Sequence, residues 1–430
     1  MKVSETLSEV KNYINGKFER NGQNSMDVLS PLDGSRISSI PLSTTQDVDN
    51  AVQAAKKAFP EWSNMTLKER VQIFFRYRNL LEENMDELTK LVQLENGKTY
   101  GEAKAEVEKS MELCEFAVSM PQIVVNEIQE VSKGVECRIE RKPLGVVASI
   151  TPFNFPNMVP HWTLPNALVL GNTMVMKPSE LVPLSTVRMA ELLKEAGLPD
   201  GVFNIVNGGK EVVEAICDHP DIKAVSFVGS TKVAKLVYIR ATSNLKRCVA
   251  LGGAKNHLIV LPDANPQMTA SNVVASMSGC AGQRCMAASV MVGVDKVQHI
   301  IDKMVEEAKK IVLQRFEEYF PKSYYSKDSA IGYDKKRQKY ICKLYYQSQI
   351  PGEKGKDVYI LEHYNKKLVQ AVNMIAKKLR EVGYEYEGRR SRIAQGNFLY
   401  ESSIPNNWKT ELYYNEFQSE IFTADTTKQL

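Results

Sequence analysis

Between residues 145 and 243, short apolar runs alternate with amphipathic ones four times: GVVASI then the stretch around WTLPNALVL, NTMVMKP then TVRMAELLKEAG, VFNIV then KEVVEAICDH, AVSFVGS then TKVAKLVYIRATS. An apolar run of this length without polar alternation reads as a strand covered on both faces, and the runs between repeat their apolar residues at helical spacing. Strand and helix in alternation predict an α/β fold built on a largely parallel, doubly wound sheet. In such sheets ligands lie beyond the carboxyl ends of the strands. That brings PFNFP (152–156), KPSE (177–180) and FVGST (227–231) to one sheet edge, although tens of residues separate them.

Upstream, apolar residues recur at helical spacing through VDNAVQAAKKAF and through RVQIFFRYRNLLEENMDELTKLVQLE, with Thr45 and Asp47 as candidate caps. A further helix follows in GEAKAEVEKSMELCEFAVSM, and CRIERKPLGVVASI reads as a strand entering the sheet interior. The long uncharged run over 146–176 holds Pro152, Pro156, Pro160 and Pro165 as well as His161, so no continuous membrane helix is expected there. A chain of 430 residues predicts two or three domains, and its 43% hydrophobic and 25% charged residues predict a soluble globular protein. The seven cysteines show no paired CxxC spacing and the five histidines no ligand spacing, which predicts neither a disulfide framework nor a metal site. With a start, MKVSETLSEV, that matches no targeting pattern, a cytoplasmic protein is expected.

Three motifs carry candidate chemistry. FVGST passes from strand into helix, where Gly229 permits close backbone approach and Ser230 or Thr231 suits the helix cap. Such a junction offers amides to a phosphate, or is an ordinary strand–turn–helix joint. KPSE sets Lys177 directly after a buried strand, where it and Glu180 either hydrogen-bond the hydroxyls of a ribose or face water. In GCAGQRCMAAS, Cys285 stands among small residues after Arg284, whose charge favours the thiolate. An isolated cysteine is otherwise a small buried side chain.

Six motifs in order, PFNFP, MVMKPSE, GLPDGVFNIVNG, VSFVGST, LGGAKNH and AGQRC, resemble the aldehyde dehydrogenase superfamily, and residues 12–314 are most similar to its methylmalonate-semialdehyde branch. NYINGKF and VLSPLDGS near the start belong to the same pattern. The resemblance implies an NAD-binding domain with N-terminal helices over 1–255 and the start of a catalytic domain over 256–314. It makes Cys285 the thiolate that attacks an aldehyde, and Asn154, with the Cys285 backbone amide, the oxyanion hole. Thr151 and Phe153 would then line the NAD site, Lys177 and Glu180 hold the adenosine ribose, Gly229 and Ser230 meet the pyrophosphate, and Gly252 sit near the nicotinamide.

Hydrolytic members begin the ELGG motif with a glutamate that activates water; this chain has Ala250 there. A thioester without that base waits for a thiol, which implies coenzyme A as acyl acceptor. Arg284 suits a substrate carrying its own carboxylate, beside its readings as thiolate activator or surface charge. On the carboxylate reading the substrate is methylmalonate or malonate semialdehyde, and the acyl group loses CO2 before leaving as propionyl- or acetyl-coenzyme A.

Residues 315–430 do not continue this pattern. They hold 14 of the 18 tyrosines and 20 Lys and Arg against 15 Asp and Glu, a different composition from the first 314. Family members present a glutamate in an EEIFGP-like motif well after the cysteine; here that neighbourhood reads LREVGYEYEGRR, and Glu420, Ile421 and Phe422 echo it at another distance. The resemblance therefore implies an incomplete catalytic domain followed by an unassigned α+β segment, without the strand through which the family forms homo-oligomers. YNKKLVQAVNMIAKKLREVGYEYE reads as a helix. With YDKKRQKYICKLYYQ and the triple Arg389, Arg390 and Arg392 it suits single-stranded nucleic acid or, more simply, a solvated basic face over a small core. Two functions stand at this level: an acylating dehydrogenase acting on a small semialdehyde, or a catalytically impaired NAD-binding or interaction protein arising from fusion or truncation.

Overall fold

The computed structural model describes residues 9–20, 24–31, 34–319, 330–334, 339–343 and 384–387. The chain divides into two compact units, one of Met1–Asn256 with Gln283–Ala287 and one of His257–Gly282 with Ala288–Leu430.

The first unit opens with a hairpin of β1 (Asn12–Ile14) and β2 (Lys17–Glu19). Its turn residues Asn15 and Gly16 take φ of 50° and 75°, the pair of positive angles that a two-residue hairpin turn demands. A second hairpin, β3 (Ser25–Leu29) and β4 (Arg36–Pro41), leads into α1 (Thr45–Asn64), α2 (Leu67–Glu83), α3 (Met85–Asn96), α4 (Tyr100–Val118) and the short α5 (Met120–Ile123). Thr44 caps α1, one residue before the expected Thr45, because Asp47 at the third helical position accepts a hydrogen bond from the Thr44 amide at 2.8 Å. The single apolar run expected up to Glu95 is two helices. The Asn84 side-chain amide donates to the Leu80 carbonyl at 2.8 Å, closing α2 at the residue that starts α3.

CRIERKPLGVVASI likewise holds two strands. β5 (Glu127–Ser132) and β6 (Val135–Ile139) form an antiparallel hairpin that is exposed along its whole length, and β7 (Val146–Ile150) begins only after an exposed connection. From β7 onward the expected alternation is realised: α6 (Met158–Val169), β8 (Thr173–Lys177), α7 (Leu184–Glu195), β9 (Phe203–Ile205), α8 (Lys210–Asp218), β10 (Ile222–Val228), α9 (Thr231–Ser243) and β11 (Arg247–Leu251).

These strands join one sheet in the order β11-β10-β7-β8-β9-β1-β2, parallel except at the β1–β2 edge. Two cores flank it. Val146, Ala148, Ile150 and Val175 pack with Val48, Ala51 and Val52 of α1 and with Val212 and Ile216 of α8. The intervening Val147, Met174 and Met176 pack on the other side with Phe74 and Tyr77 of α2, Val107 of α4, Leu164 and Leu168 of α6, and Leu193 of α7. Neighbouring side chains thus enter opposite cores, which is why these strands carry no polar face.

β12 (Asn256–Val260), which from His257 onward belongs to the second unit, pairs with β13 (Ala288–Gly293), and α10 (Pro266–Ser278) packs on α11 (Gln298–Tyr319). β14 (Ala330–Asp334), β15 (Lys339–Lys343) and β16 (Tyr384–Glu387) form a separate three-stranded sheet. β16 corrects the helical reading of YEYE, where tyrosine and glutamate alternate with the two-residue period of a strand. The rest of that helical reading, the basic triple Arg389, Arg390 and Arg392, and the echo at Glu420, Ile421 and Phe422 lie outside the described residues. Among those described, no helix is long and apolar enough to cross a membrane.

Candidate active site

The sheet register places the candidate residues. Ile150 stands opposite both Lys177 and Phe227, and Val228 stands opposite Leu251, so β8, β7, β10 and β11 finish in one row. The backbone ladder continues one step beyond it: the Thr151 amide donates to the Lys177 carbonyl and the Gly229 amide to the Leu251 carbonyl, each at 3.1 Å. Thr151, Gly229 and Gly252 thus leave their strands at the same edge as Lys177.

Along that edge, Gly229 turns the chain from β10 into α9. A Cβ there would stand 2.5 Å from the Phe227 ring, so any side chain would force that ring to move. Ser230 caps α9, its hydroxyl accepting from the Val233 amide at 3.4 Å, and the first turn of α9 holds no acidic residue to compete for an anion. A Cβ at Gly252 would stand 3.0 Å from the Thr231 hydroxyl, which accepts from the Gly253 amide at 3.0 Å. Two strands away, the buried Lys177 ammonium donates to the Glu180 carboxylate at 2.6 Å. Burial raises the proton affinity of Glu180, but the Lys177 charge and hydrogen bond outweigh it and hold the carboxyl below its ordinary range. The pair presents an ionised acceptor beside a cation.

The loop after β7 carries Phe153 and Asn154. The Asn96 side-chain amide donates to the Phe153 carbonyl at 2.8 Å, and the Asn154 side-chain amide donates to the Gln283 carbonyl, two residues before Cys285. The segment 283–287 is held from another direction by Asn256, whose amide donates to the carbonyls of Cys285 and Ala287 at 2.8 and 3.1 Å. Cys285 is half-buried there, while the Arg284 side chain is exposed. Burial pushes up the thiols of Cys114, Cys217 and Cys248, which disfavours their thiolate forms. Ala250 sits in β11 opposite Phe227. Among the described residues no group of three or more His, Cys, Asp or Glu is placed to hold a metal.

Residues 18–319 match the family model described as Aldehyde dehydrogenase family. The chain belongs to the aldehyde dehydrogenase family. Malonate-semialdehyde dehydrogenase 2 of Bacillus thuringiensis (strain Al Hakam) is 46% identical over 312 residues, which cover 72% of this chain and 64% of that protein. The crystal structure of methylmalonate-semialdehyde dehydrogenase from Oceanimonas doudoroffii superimposes with a TM-score of 0.69 at 42% identity, over 71% of this chain and 63% of that one. That of betaine aldehyde dehydrogenase from Staphylococcus aureus in complex with NAD+ gives 0.68 at 28% identity, over 70% and 61%. This family member therefore spans less than two thirds of the length of each of these relatives.

Sequence reading missed three residues bonded to the candidate segments: Asn256, which donates to Cys285 and Ala287, and Lys98 and Glu106, which bond Asn154, Asn157 and Met158. Asn256 lies in LGGAKNH, whose spacing does not point to the cysteine segment. Lys98 and Glu106, before and within the expected helix GEAKAEVEKSMELCEFAVSM, were not singled out. The available signal was positional, since Glu106 falls on the same face of α4 as the buried Ala103, Val107, Ser110 and Cys114.

Proposed function

We propose that the chain oxidises methylmalonate or malonate semialdehyde with NAD and passes the acyl group to coenzyme A through a thioester on Cys285. The observation that carries this reading is the Asn154 side chain bound to the segment of Cys285, in a site where Ala250 replaces the base of hydrolytic relatives. In this reading 1–255 is the NAD-binding domain and 256–314 opens the catalytic domain.

The Cys285 thiolate adds to the aldehyde carbon, and the oxygen's new charge is received by the Asn154 side-chain amide and the Cys285 backbone N–H. NAD, when bound, supplies the acceptor for the hydride that leaves that carbon. The edge of the sheet suits such a dinucleotide: the Ser230-capped start of α9 offers amides to phosphate, and Lys177 with Glu180 offers a donor and an acceptor to a ribose diol. Arg284 gives a guanidinium to the substrate carboxylate. With no carboxylate at Ala250 to activate water, the thioester persists, loses the substrate carboxylate as CO2, and is then displaced from Cys285 by the thiol of coenzyme A to give propionyl- or acetyl-coenzyme A. The names of the two semialdehyde dehydrogenase relatives support the substrate class.

The test is NADH formation by the full chain from either semialdehyde, with and without coenzyme A, beside Cys285→Ala. Repeated turnover that requires coenzyme A and vanishes in the variant is expected. Turnover indifferent to coenzyme A overturns the acylating assignment, and no NADH from either substrate overturns the reading as a whole.

A further inference from the structure

An ion pair is buried behind the Asn154 loop. The Lys98 and Glu106 side chains are 2% and 0% exposed and are bonded to each other. Taking two charges out of water is expensive, and their mutual attraction alone seldom offsets it. What distinguishes this pair is its hold on one loop. The Lys98 ammonium donates to the Asn154 carbonyl at 2.6 Å and lies 4.0 Å from the centre of the Phe155 ring. Glu106 accepts from the amides of Asn157 and Met158 at 2.8 and 3.1 Å, and Ser110 donates to the Asn157 side-chain oxygen at 2.7 Å.

Capping the start of α6 would account for Glu106, whose negative charge favours that helix end. It does not account for Lys98, which reaches past the helix to the residue whose side chain meets the Cys285 segment. An oxyanion donor is effective only when its direction is set before charge develops. The PFNFP loop, between the end of β7 and the start of α6, has no strand ladder of its own along most of its length. Side chains from α3, α4 and the turn between them fix its backbone at Phe153, Asn154, Asn157 and Met158, on both sides of the Asn154 amide.

We infer that Lys98 and Glu106 are positioning residues that set where the Asn154 amide stands relative to Cys285, and so govern oxyanion stabilisation from behind the site. The inference rests on the reading of Asn154 as an oxyanion donor.

The test compares Lys98→Met, Asn154→Ala and the double variant in the full chain, by kcat and KM for NADH formation, by Kd for NAD from fluorescence, and by amide hydrogen exchange over 153–158. Because a misplacement near 1 Å can lower a rate by about 100-fold, Lys98→Met is expected to reduce kcat by roughly 10- to 100-fold with little change in Kd for NAD. It should add almost nothing once Asn154 is already alanine, and should accelerate exchange at Asn157 and Met158. Should the single change fail to fold, Lys98→Met with Glu106→Gln, which leaves no charge unpaired, takes its place. A loss that persists undiminished in the Asn154→Ala background overturns the inference, as does unchanged kcat with unchanged exchange. If the unaltered chain forms no NADH, the functional reading fails by itself, and exchange over 153–158 alone decides whether Lys98 holds the loop.

Discussion

β7 and β8 are buried at every residue, whereas β5 and β6, which precede them in the chain, are exposed at every residue. Val175 and Met176 are 0% exposed while Ile128 and Val135 are 64% and 52% exposed, although all four are β-formers or apolar. The difference lies in how the strands are connected. Parallel neighbours need crossover helices, and those helices cover both faces of the sheet; an antiparallel hairpin closes through a tight turn and brings no cover with it. Thr151, Lys177, Gly229 and Gly252 sit at or just past the ends of the parallel strands, where the ladder fixes the backbone, whereas Asn154 and Cys285 lie on segments that side chains hold.

The contrast is sharpest in energy. Met174→Ala in the covered pair should destabilise the first unit by about 2–5 kcal/mol through lost burial and a residual cavity. Ile128→Ser on the hairpin should stay within about 0.5 kcal/mol. Urea denaturation followed by tryptophan fluorescence measures both, and equal losses would show that the hairpin is covered in solution.

Burial also leaves a mark on pH dependence. His161 on α6 is fully buried, between the Asn157 carbonyl at 2.7 Å and the Tyr77 hydroxyl at 2.9 Å. Burial holds it neutral, lowering its pKa from 6.5 to about 4. Since the unfolded chain takes up the proton first, the contribution of His161 is complete above pH 6.5 and is lost as pH falls toward 4, up to about 3 kcal/mol for a shift of this size. Glu95 acts in the opposite sense. Burial pushes its carboxyl up to about 7 although it accepts from the Leu184 and Ser185 amides, so its contribution is complete below pH 4.5 and fades as pH rises through 7. Thermal unfolding from pH 4 to 7 should show a steeper acid loss in the unaltered chain than in His161→Gln; parallel profiles would contradict a buried neutral imidazole.

The same contrast explains what was legible in the sequence. The alternation from β7 to α9 could be read because a strand covered on both faces must be apolar throughout, and its crossover helices must be amphipathic. The break at Asn84 could not, because apolar residues continue at helical spacing across it and the end is marked by the Asn84 backbone angles and its bonds to Leu80. The hairpin was fused with β7 because an exposed strand lacks the burial pattern that would delimit it. Within the candidate site, Gly229, Ser230, Lys177, Glu180 and Cys285 stood out in the residues themselves, whereas Thr151, Phe153, Asn154 and Gly252 entered only through the family resemblance. Lys98, Glu106 and Asn256 were not legible, since their partners are carbonyls, amides and each other across folded distance, and charged residues near a helix ordinarily face water.

The most direct measurement is iodoacetamide labelling of the full chain, read peptide by peptide, with and without NAD. It sets the exposed Cys137 of β6 against the half-buried Cys285. If Cys285 is the nucleophile, it reacts faster than Cys137 despite its lower exposure, and NAD alters the rate at Cys285 while leaving Cys137 unchanged. Labelling that follows exposure, with Cys137 first and NAD without effect, would contradict the assignment of Cys285 as the thioester-forming residue.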